Sequence, residues 1–529
     1  MMMTAPQSSP PPRPLSLPLF RALWIATIVS NIGTWMHDAG AGWLMTSLSD
    51  APIMVALVQA ATTLPMFLFA LPGGALADIV DRRRLLIGAQ LWALICAAAL
   101  AALTYAGMTG PLVLLGLTFA IATGAALSAP AFQAIVPELV PRPALADAVA
   151  LNSLGINISR AIGPALGGFI IAAAGTPAVF ALNALSVLGV MLVLVRWHRQ
   201  VAKPTLPAER FFGALRSGAR YARHSPALQT VLIRSIGFFL FASALWAFVP
   251  IIARRELGLG PAGYGGLLGC MGAGAVLGAM VLPRLRHHVS ANGVTVAATI
   301  LFAAVAVGLS QAWNFATAAL SMALAGMGWI AMLSSFNVAA QMAVPAWVKA
   351  RALAVNLLVF QGSMAAGSAL WGWLAGHLGI PMTLMVAAAG LMVGLVLALR
   401  WRISGDGAGN LAPSSHWPAP VVATDMPVDR GPVMITVEYR IDPTQVPAFT
   451  QAMQALRRIR HRDGAISWGL DEDAAVPGGG VESFVLESWL EHLRQHERVT
   501  HADREDQEAV RAFHLGPEPP IVRHLIAPS

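Results

Sequence analysis

A chain of 529 residues that is 56% hydrophobic and 11% charged, with a mean hydropathy of +0.65, lies outside the range of soluble domains, where about a quarter of residues are charged. The formal charge of +8 divides unevenly, with 23 basic and 8 acidic residues up to Arg402 against 11 and 18 beyond it. The basic total therefore describes neither part and implies no nucleic-acid partner, while Cys96 and Cys270, both in apolar runs, exclude a disulfide framework and any CxxC motif.

Residues 1–18 are polar and Pro-rich, without the apolar core of a secretory signal, and read as a disordered cytoplasmic lead-in. Twelve runs long enough to cross a bilayer follow, near 19–47, 53–76, 85–106, 111–133, 147–174, 177–196, 229–252, 262–283, 291–311, 314–341, 352–376 and 381–399. They divide into a first six-helix half (19–196), a central loop (197–228) and a second half (229–402). Basic residues gather in alternate connections, from Arg82, Arg83 and Arg84 through Arg216, Arg220 and Arg223 to Arg400 and Arg402, and the opposite connections hold only Arg254 and Arg255. Both termini and the central loop are therefore expected to be cytoplasmic.

Charges inside spans are costly and mark function. Asp38 lies two-thirds along the first run, where apolar surroundings disfavour its ionised form and suit it to load and release a proton; the alternative is a residue already among the outer headgroups. After the second run, GGALADIVDRRRLL carries Gly74, Asp78, Asp81, Arg82, Arg83 and Arg84. Gly74 would let helices approach closely, and Asp78 at a helix end would pair with basic groups, unless the loop only obeys the orientation rule. The fifth run, NSLGINISRAIGPALGGFI, sets Arg160 beside Gly163, Pro164, Gly167 and Gly168, small residues for tight packing and a Pro that loosens the helix. Arg160 binds an anionic group, pairs with a carboxylate such as Asp38, or bonds to carbonyls. Arg234, near a helix end, can snorkel. Asn31, Asn152, Asn157, Asn356 and Gln361 offer uncharged polar groups to a cavity. The absence of a GxxxxGK[ST] loop leaves an ion gradient as energy source.

An ungapped shift of 204 residues aligns Gly124, Phe132, Asn152, Ser159, Gly163, Gly168, Gly175 and Pro177 with Gly328, Phe336, Asn356, Ser363, Gly367, Gly372, Gly379 and Pro381. Such a parallel duplication places a substrate site between the halves near mid-membrane. On these residues the chain resembles the major facilitator superfamily, through the G-x-x-x-D loop with its basic cluster, although Asp81 stands where that family usually has Gly. The fifth run is similar to the superfamily's antiporter signature, and the opening LFRALWIATIVSNIGTWMHDAGAGWLM resembles bacterial exporters of the enterobactin and macrolide-efflux kind. The resemblance covers about the first 400 residues. It implies an all-α membrane protein of the bacterial inner membrane, a secondary active, proton-coupled exporter of a small amphipathic molecule such as a siderophore or drug, working without a cofactor. In that scheme Asp38 exchanges protons with cargo, Arg160 tunes or binds, and Gly74, Asp78 and Arg82 latch the cytoplasmic gate.

Residues 403–430 read as a Gly/Pro/Ser-rich linker. The alternation at 433–441 predicts a strand, Asp442 caps a helix stopped by Gly464, and strands are expected at 466–473, 482–490 and 521–528 with a charged helix over 492–513. The order βαββαβ is that of a ferredoxin-like α+β domain (431–529). ESWL followed by His492, His496 and His501 resembles the antibiotic-biosynthesis-monooxygenase family, whose small domains pair into a shared α/β barrel. That resemblance implies a homodimer through this domain and, as an alternative function, modification of the cargo; a regulatory or dimerising module is the other reading. Trp468, Trp489, His492 and His496 are pocket candidates, although a solvated helix face explains the histidines equally, and no His/carboxylate spacing suits a metal.

Overall fold

The computed structural model describes residues 13–197, 211–403, 409–414, 416–417 and 430–527, without the side chains of 75, 78, 79, 142, 146 and 211–215. Residues 1–12 of the expected lead-in, 198–210 of the central loop and most of the linker lie outside these residues; residues 13–18 are not disordered, since Pro14–Ser16 form a short 3-10 turn with Pro14 buried and Pro18 opens the first helix. The chain opens with α1 (Pro18–Leu48), then α2 (Pro52–Ile79), α3 (Arg82–Tyr105), α4 (Pro111–Leu139), α5 (Leu145–Ala174), α6 (Thr176–Arg196) and α7 (Phe211–His224). It continues with α8 (Pro226–Ile251), α9 (Pro261–Arg286), α10 (Ala291–Ser310), α11 (Phe315–Met342), α12 (Lys349–Leu378) and α13 (Ile380–Arg400). Eleven of these helices are long and apolar enough to cross a membrane. The twelfth expected span is α1, which has 31 residues but carries Ser30, Asn31, Thr34, His37 and Asp38 and so falls short in apolarity. Proline opens α1, α2, α4 and α9, where its missing N–H costs nothing and its fixed φ suits the first helical residue.

The duplication is visible in the helix ends. α12 and α13 begin and end 204 residues after α5 and α6. The turns between them are made by Gly175 at φ 82° and Gly379 at φ 76°, a left-handed conformation that explains why glycine recurs there. Gly124 brings α4 against the Ala89 carbonyl of α3, and Gly328 brings α11 against the Ala298 carbonyl of α10.

Contacts divide the chain into two units: Met1–Ala208, Arg234–Ser335 and Leu357–Arg400; and Glu209–Ile233, Phe336–Asn356 and Trp401–Ser529. In the first unit the helices of the two halves meet at the end that carries the α1–α2 and α5–α6 turns. A Cβ on Gly265 of α9 would lie 2.7 Å from Gly168 Cα of α5, and a Cβ on Gly372 of α12 would lie 2.9 Å from Ile53 Cα of α2. These are equivalent crossings in the duplicated plan, and side chains larger than hydrogen would force them apart.

The second unit holds a four-stranded antiparallel sheet of order β2-β3-β1-β4, from β1 (Val433–Arg440), β2 (Ser467–Glu472), β3 (Gly479–Leu486) and β4 (Ile521–Ile526). α14 (Val446–Asp463), α15 (Trp489–Arg498) and α16 (His501–Arg511) complete the expected order. Val433, Ile435, Val437, Phe449, Met453, Phe484 and Trp489 build its core. Two expectations need correction. Trp489 and Leu490 begin a helix rather than end a strand, because the Ser488 hydroxyl accepts the Glu491 N–H as an N-cap. The single charged helix is two, since Thr500 and Asp503 close a capping box that starts α16 afresh. This sheet domain also packs on α7 and on the connection between α11 and α12: Arg498 lies 4.6 Å over the Trp347 ring, Trp347 meets Tyr221 edge-on at 5.9 Å, and the Tyr221 hydroxyl donates to the Ala343 carbonyl at 3.2 Å.

Candidate functional site: an amphipathic cavity in the first half

A cavity of about 860 Å³ lies within the first six helices. α1 lines it with Asn31, Thr34, Trp35, His37 and Asp38, α3 with Gln90, α4 with Gln133 and α5 with Asn152 and Ser153. It runs from Asp38 toward the end of the bundle that carries Phe20, Leu139 and Leu145. His37 is 1% exposed and both its ring nitrogens lack a hydrogen-bond partner. Tyr264 of α9 stands within electrostatic reach of Asp38 and stacks on Trp43 at 5.5 Å. One carboxyl, one imidazole and several amides on an apolar wall can hold a molecule with both greasy and hydrogen-bonding faces, and can exchange a proton with it.

The sequence-predicted residues divide sharply here. Asp38, Asn31 and Asn152 line the cavity; Asn157 does not, donating instead to the Ser153 carbonyl one turn back at 2.9 Å. Asn356 and Gln361, on α12, are not among the lining residues either, because the cavity belongs to the first half alone. Arg160 forms no ion pair with Asp38: its guanidinium sits 5.3 Å over Trp35, with Nε buried and unpartnered. A delocalised cation over an indole face needs no carboxylate. His37 and Gln90 also line the cavity, and neither carries a formal charge that would mark it in an apolar run.

The small residues of α5 make a seam with α1. A Cβ on Gly163 would lie 3.0 Å from the Ile32 carbonyl and one on Gly167 3.1 Å from Met36 Cα, while Gly168 serves the crossing to α9. Pro164 lies inside α5, which continues to Ala174. At the α2–α3 turn the close approach belongs to Gly73, whose Cβ would lie 2.9 Å from Leu127 Cα; Gly74 has open space around it, being one residue off the face turned to α4. The Asp81 carboxylate accepts the Arg84 N–H and caps α3. Arg82 pairs with Glu138 of α4 at 2.9 Å, and Arg83 donates to the Leu194 and Val195 carbonyls at the end of α6. The Asp78 side chain lies outside the described residues.

In the sheet domain Trp489, His492, His496 and His524 form a ring cluster: His492 lies 4.7 Å from both other imidazoles and 5.1 Å from Trp489. Burial pushes His492 down to about 3 and His496 to about 4, helped by neighbouring imidazoles and Arg460, so both are neutral at pH 7. His492 is 2% exposed with unpartnered nitrogens, so a freely solvated helix face does not describe it. Trp468 stands apart, donating to Glu482, which also takes two hydrogen bonds from Arg460 at 3.0 and 3.2 Å. His524 and Arg460 come from elements distant in sequence and carried no local signal. Among the described residues no group of three or more His, Cys, Asp and Glu could hold a metal ion.

Known proteins place this architecture. The enterobactin exporter EntS of Escherichia coli O1:K1 / APEC is 26% identical over 396 residues, 72% of this chain and 90% of that protein. The staphyloferrin A transporter of Staphylococcus aureus is 24% identical over 273 residues, 51% of this chain and 68% of its own length. Among solved structures, a bacterial homologue of the human lysosomal transporter Spinster, inward-facing and unoccupied, superposes with a TM-score of 0.58 at 13% identity, covering 72% of this chain and 96% of that one. A POT family transporter with a thioalcohol-conjugated peptide gives 0.59 at 14% identity, with 72% and 97% covered. These likenesses in fold join the relatives named for transport, none of them an enzyme, and with residues 9–529 matched by the model of the transmembrane secretion effectors, the chain belongs to that family of major facilitator membrane transporters.

Proposed function

We propose that this transporter is a proton-coupled antiporter that exports a small amphipathic molecule, of siderophore or drug type, by alternating access. Asp38 carries the reading: a lone carboxyl beside a buried imidazole at the head of a cavity whose apolar wall carries several amides, in a bundle whose halves touch at the opposite end. The siderophore names of two relatives support the cargo class. In this reading Asp38 exchanges protons with cargo, Arg160 acts through Trp35, and Arg82 and Arg83 brace the gate that Asp78 and Asp81 help close. The arginine-rich connections support cytoplasmic termini in a bacterial inner membrane, with the domain limits given above. For the sheet domain we favour a regulatory or dimerising role, supported by the exposed apolar residues Met434, Ile521 and Leu525 on one sheet face.

Proteoliposomes with an imposed pH gradient test the coupling. Candidate siderophores should move only when the gradient is present, and Asp38→Asn should lose that dependence. Movement indifferent to the gradient, or a fully active Asp38→Asn, would sink the proposal.

A further inference from the structure

Arg254 and Arg255 are the two basic residues that break the charge pattern of the connections, and each engages α1 across the boundary between the halves. Arg254 donates to the Thr46 hydroxyl at 3.1 Å and lies 5.2 Å over the Trp43 ring. Arg255 donates to the Asp50 carbonyl at 2.7 Å, the Ser49 carbonyl at 2.9 Å and the Asp50 carboxylate at 3.0 Å. These carbonyls follow the last turn of α1, where the helix dipole favours a cation. Trp43 and Thr46 are 8% and 5% exposed, so the Arg254 contacts are shielded from water. The backbones come close enough for this because Gly42 faces Pro250: a Cβ there would lie 3.2 Å from the proline ring. Residues Ile252–Glu256 then wind as a π-turn, with the Leu257 N–H reaching the Ile252 carbonyl, which aims two consecutive arginines at one helix end.

We infer that Arg254 and Arg255 are the gating residues of this closed end, a latch that grips the last turns of α1 and must release before the cavity can open on that side. The cavity reaches the other end of the first half, so opening here requires α1 and α8 to part, and no other described charged pair bridges the halves at this end. Most of the grip is on backbone carbonyls and the Trp43 face. The Asp50 carboxylate, fully solvent-facing, adds a surface ion pair, a kind of contact that contributes little. The inference uses the alternating-access reading only for direction; it needs neither cargo nor protons.

Double electron–electron resonance on the full chain in nanodiscs tests it, with Cys96→Ala and Cys270→Ala removing the native thiols. Spin labels at Met108→Cys and Gln311→Cys report the closed end, and labels at Pro141→Cys and His288→Cys the opposite end. In the double variant Arg254→Ala with Arg255→Ala, the ratio of open to closed distances at the first pair should rise by about tenfold or more, the value of one charge-assisted hydrogen bond. Arg255→Lys should recover part of the closed population, and Asp50→Ala should stay within about twofold of the parent. A double variant with the parent's distances at the closed end, or one broadened alike at both ends through unfolding, overturns the latch. Opening of the first pair with no shortening of the second supports the latch and overturns alternating access.

Discussion

The two halves share a plan and differ in how the same positions are filled. In the second half Trp329 stands at the centre of an aromatic cluster, 5.5 Å from Phe239, 5.3 Å from Trp246, 6.2 Å from Phe302 and 6.2 Å from Phe360. Shifted back by 204 residues, Trp329 falls on Ala125 and Phe360 on Ile156, and both of these line the cavity of the first half. At these two positions the cavity takes space that rings occupy in the duplicate. One half keeps room and sets Asp38 and His37 beside it; the other fills its equivalents of Ala125 and Ile156 with rings.

Exchanging the fillings should break this contrast most strongly. Trp329→Ala should destabilise the protein by roughly 3–5 kcal/mol, the cost of emptying a packed aromatic site, and lower its thermal midpoint in nanodiscs. Ala125→Trp should leave that midpoint nearly unchanged while blocking uptake of cargo, because the indole enters space already present. A Trp329→Ala protein as stable as its parent, or an Ala125→Trp protein that still transports, would show that ring size does not set the asymmetry.

The sheet domain sharpens the comparison, since it pairs its buried charges: Arg462 is held by Asp463 at 2.8 Å and Asp503 at 2.7 Å, and Arg460 by Glu482. Its exceptions are the depressed imidazoles of His492 and His496. Unfolded, they take up protons near pH 6.5; folded, they do so only below about 4 and 3, in the order His496 then His492. Between those values the unfolded state binds more protons, so stability is present above pH 6.5 and is lost as pH falls toward 4. Amide exchange of β1–β4 in the full chain should quicken from pH 7 to 4.5 after correction for intrinsic rates, and protection flat over that range would show these imidazoles to be already solvated.

The fold was legible because its signals are local or periodic. Apolar runs mark twelve helices, eleven of them apolar enough to cross a membrane, the recurring Gly175 and Gly379 mark a turn that demands positive φ, and alternation marks β1. Asp38, too, announced itself as a charge in an apolar run. What could not be read was which face each residue presents. Gly73 and Gly74 are equivalent on paper and differ by one step around α2; Asn152 and Asn157 share a helix but only one meets the cavity. Contacts joining distant segments, such as Arg160 on Trp35 and His524 beside His492, leave no spacing to recognise.

The smallest expected difference between the halves lies in the α1–α5 seam. Ser159, 0% exposed, shares its one hydroxyl proton between the Ile28 carbonyl of α1 at 3.2 Å and the Gly155 carbonyl of its own helix at 2.9 Å. The hydroxyl of its repeat partner Ser363 makes no hydrogen bond among the described residues. Interhelical hydrogen bonds in membranes average about 0.6 kcal/mol, because the separated helix finds other partners. Ser159→Ala should therefore cost about that much, since the alanine fills the same site and removes only the hydroxyl, while Ser363→Ala should cost measurably less in the same unfolding titration. Equal losses would mean that the seam is held by the close backbone approach at Gly163 and Gly167, with the hydroxyl adding nothing, and that the halves differ only where the cavity is.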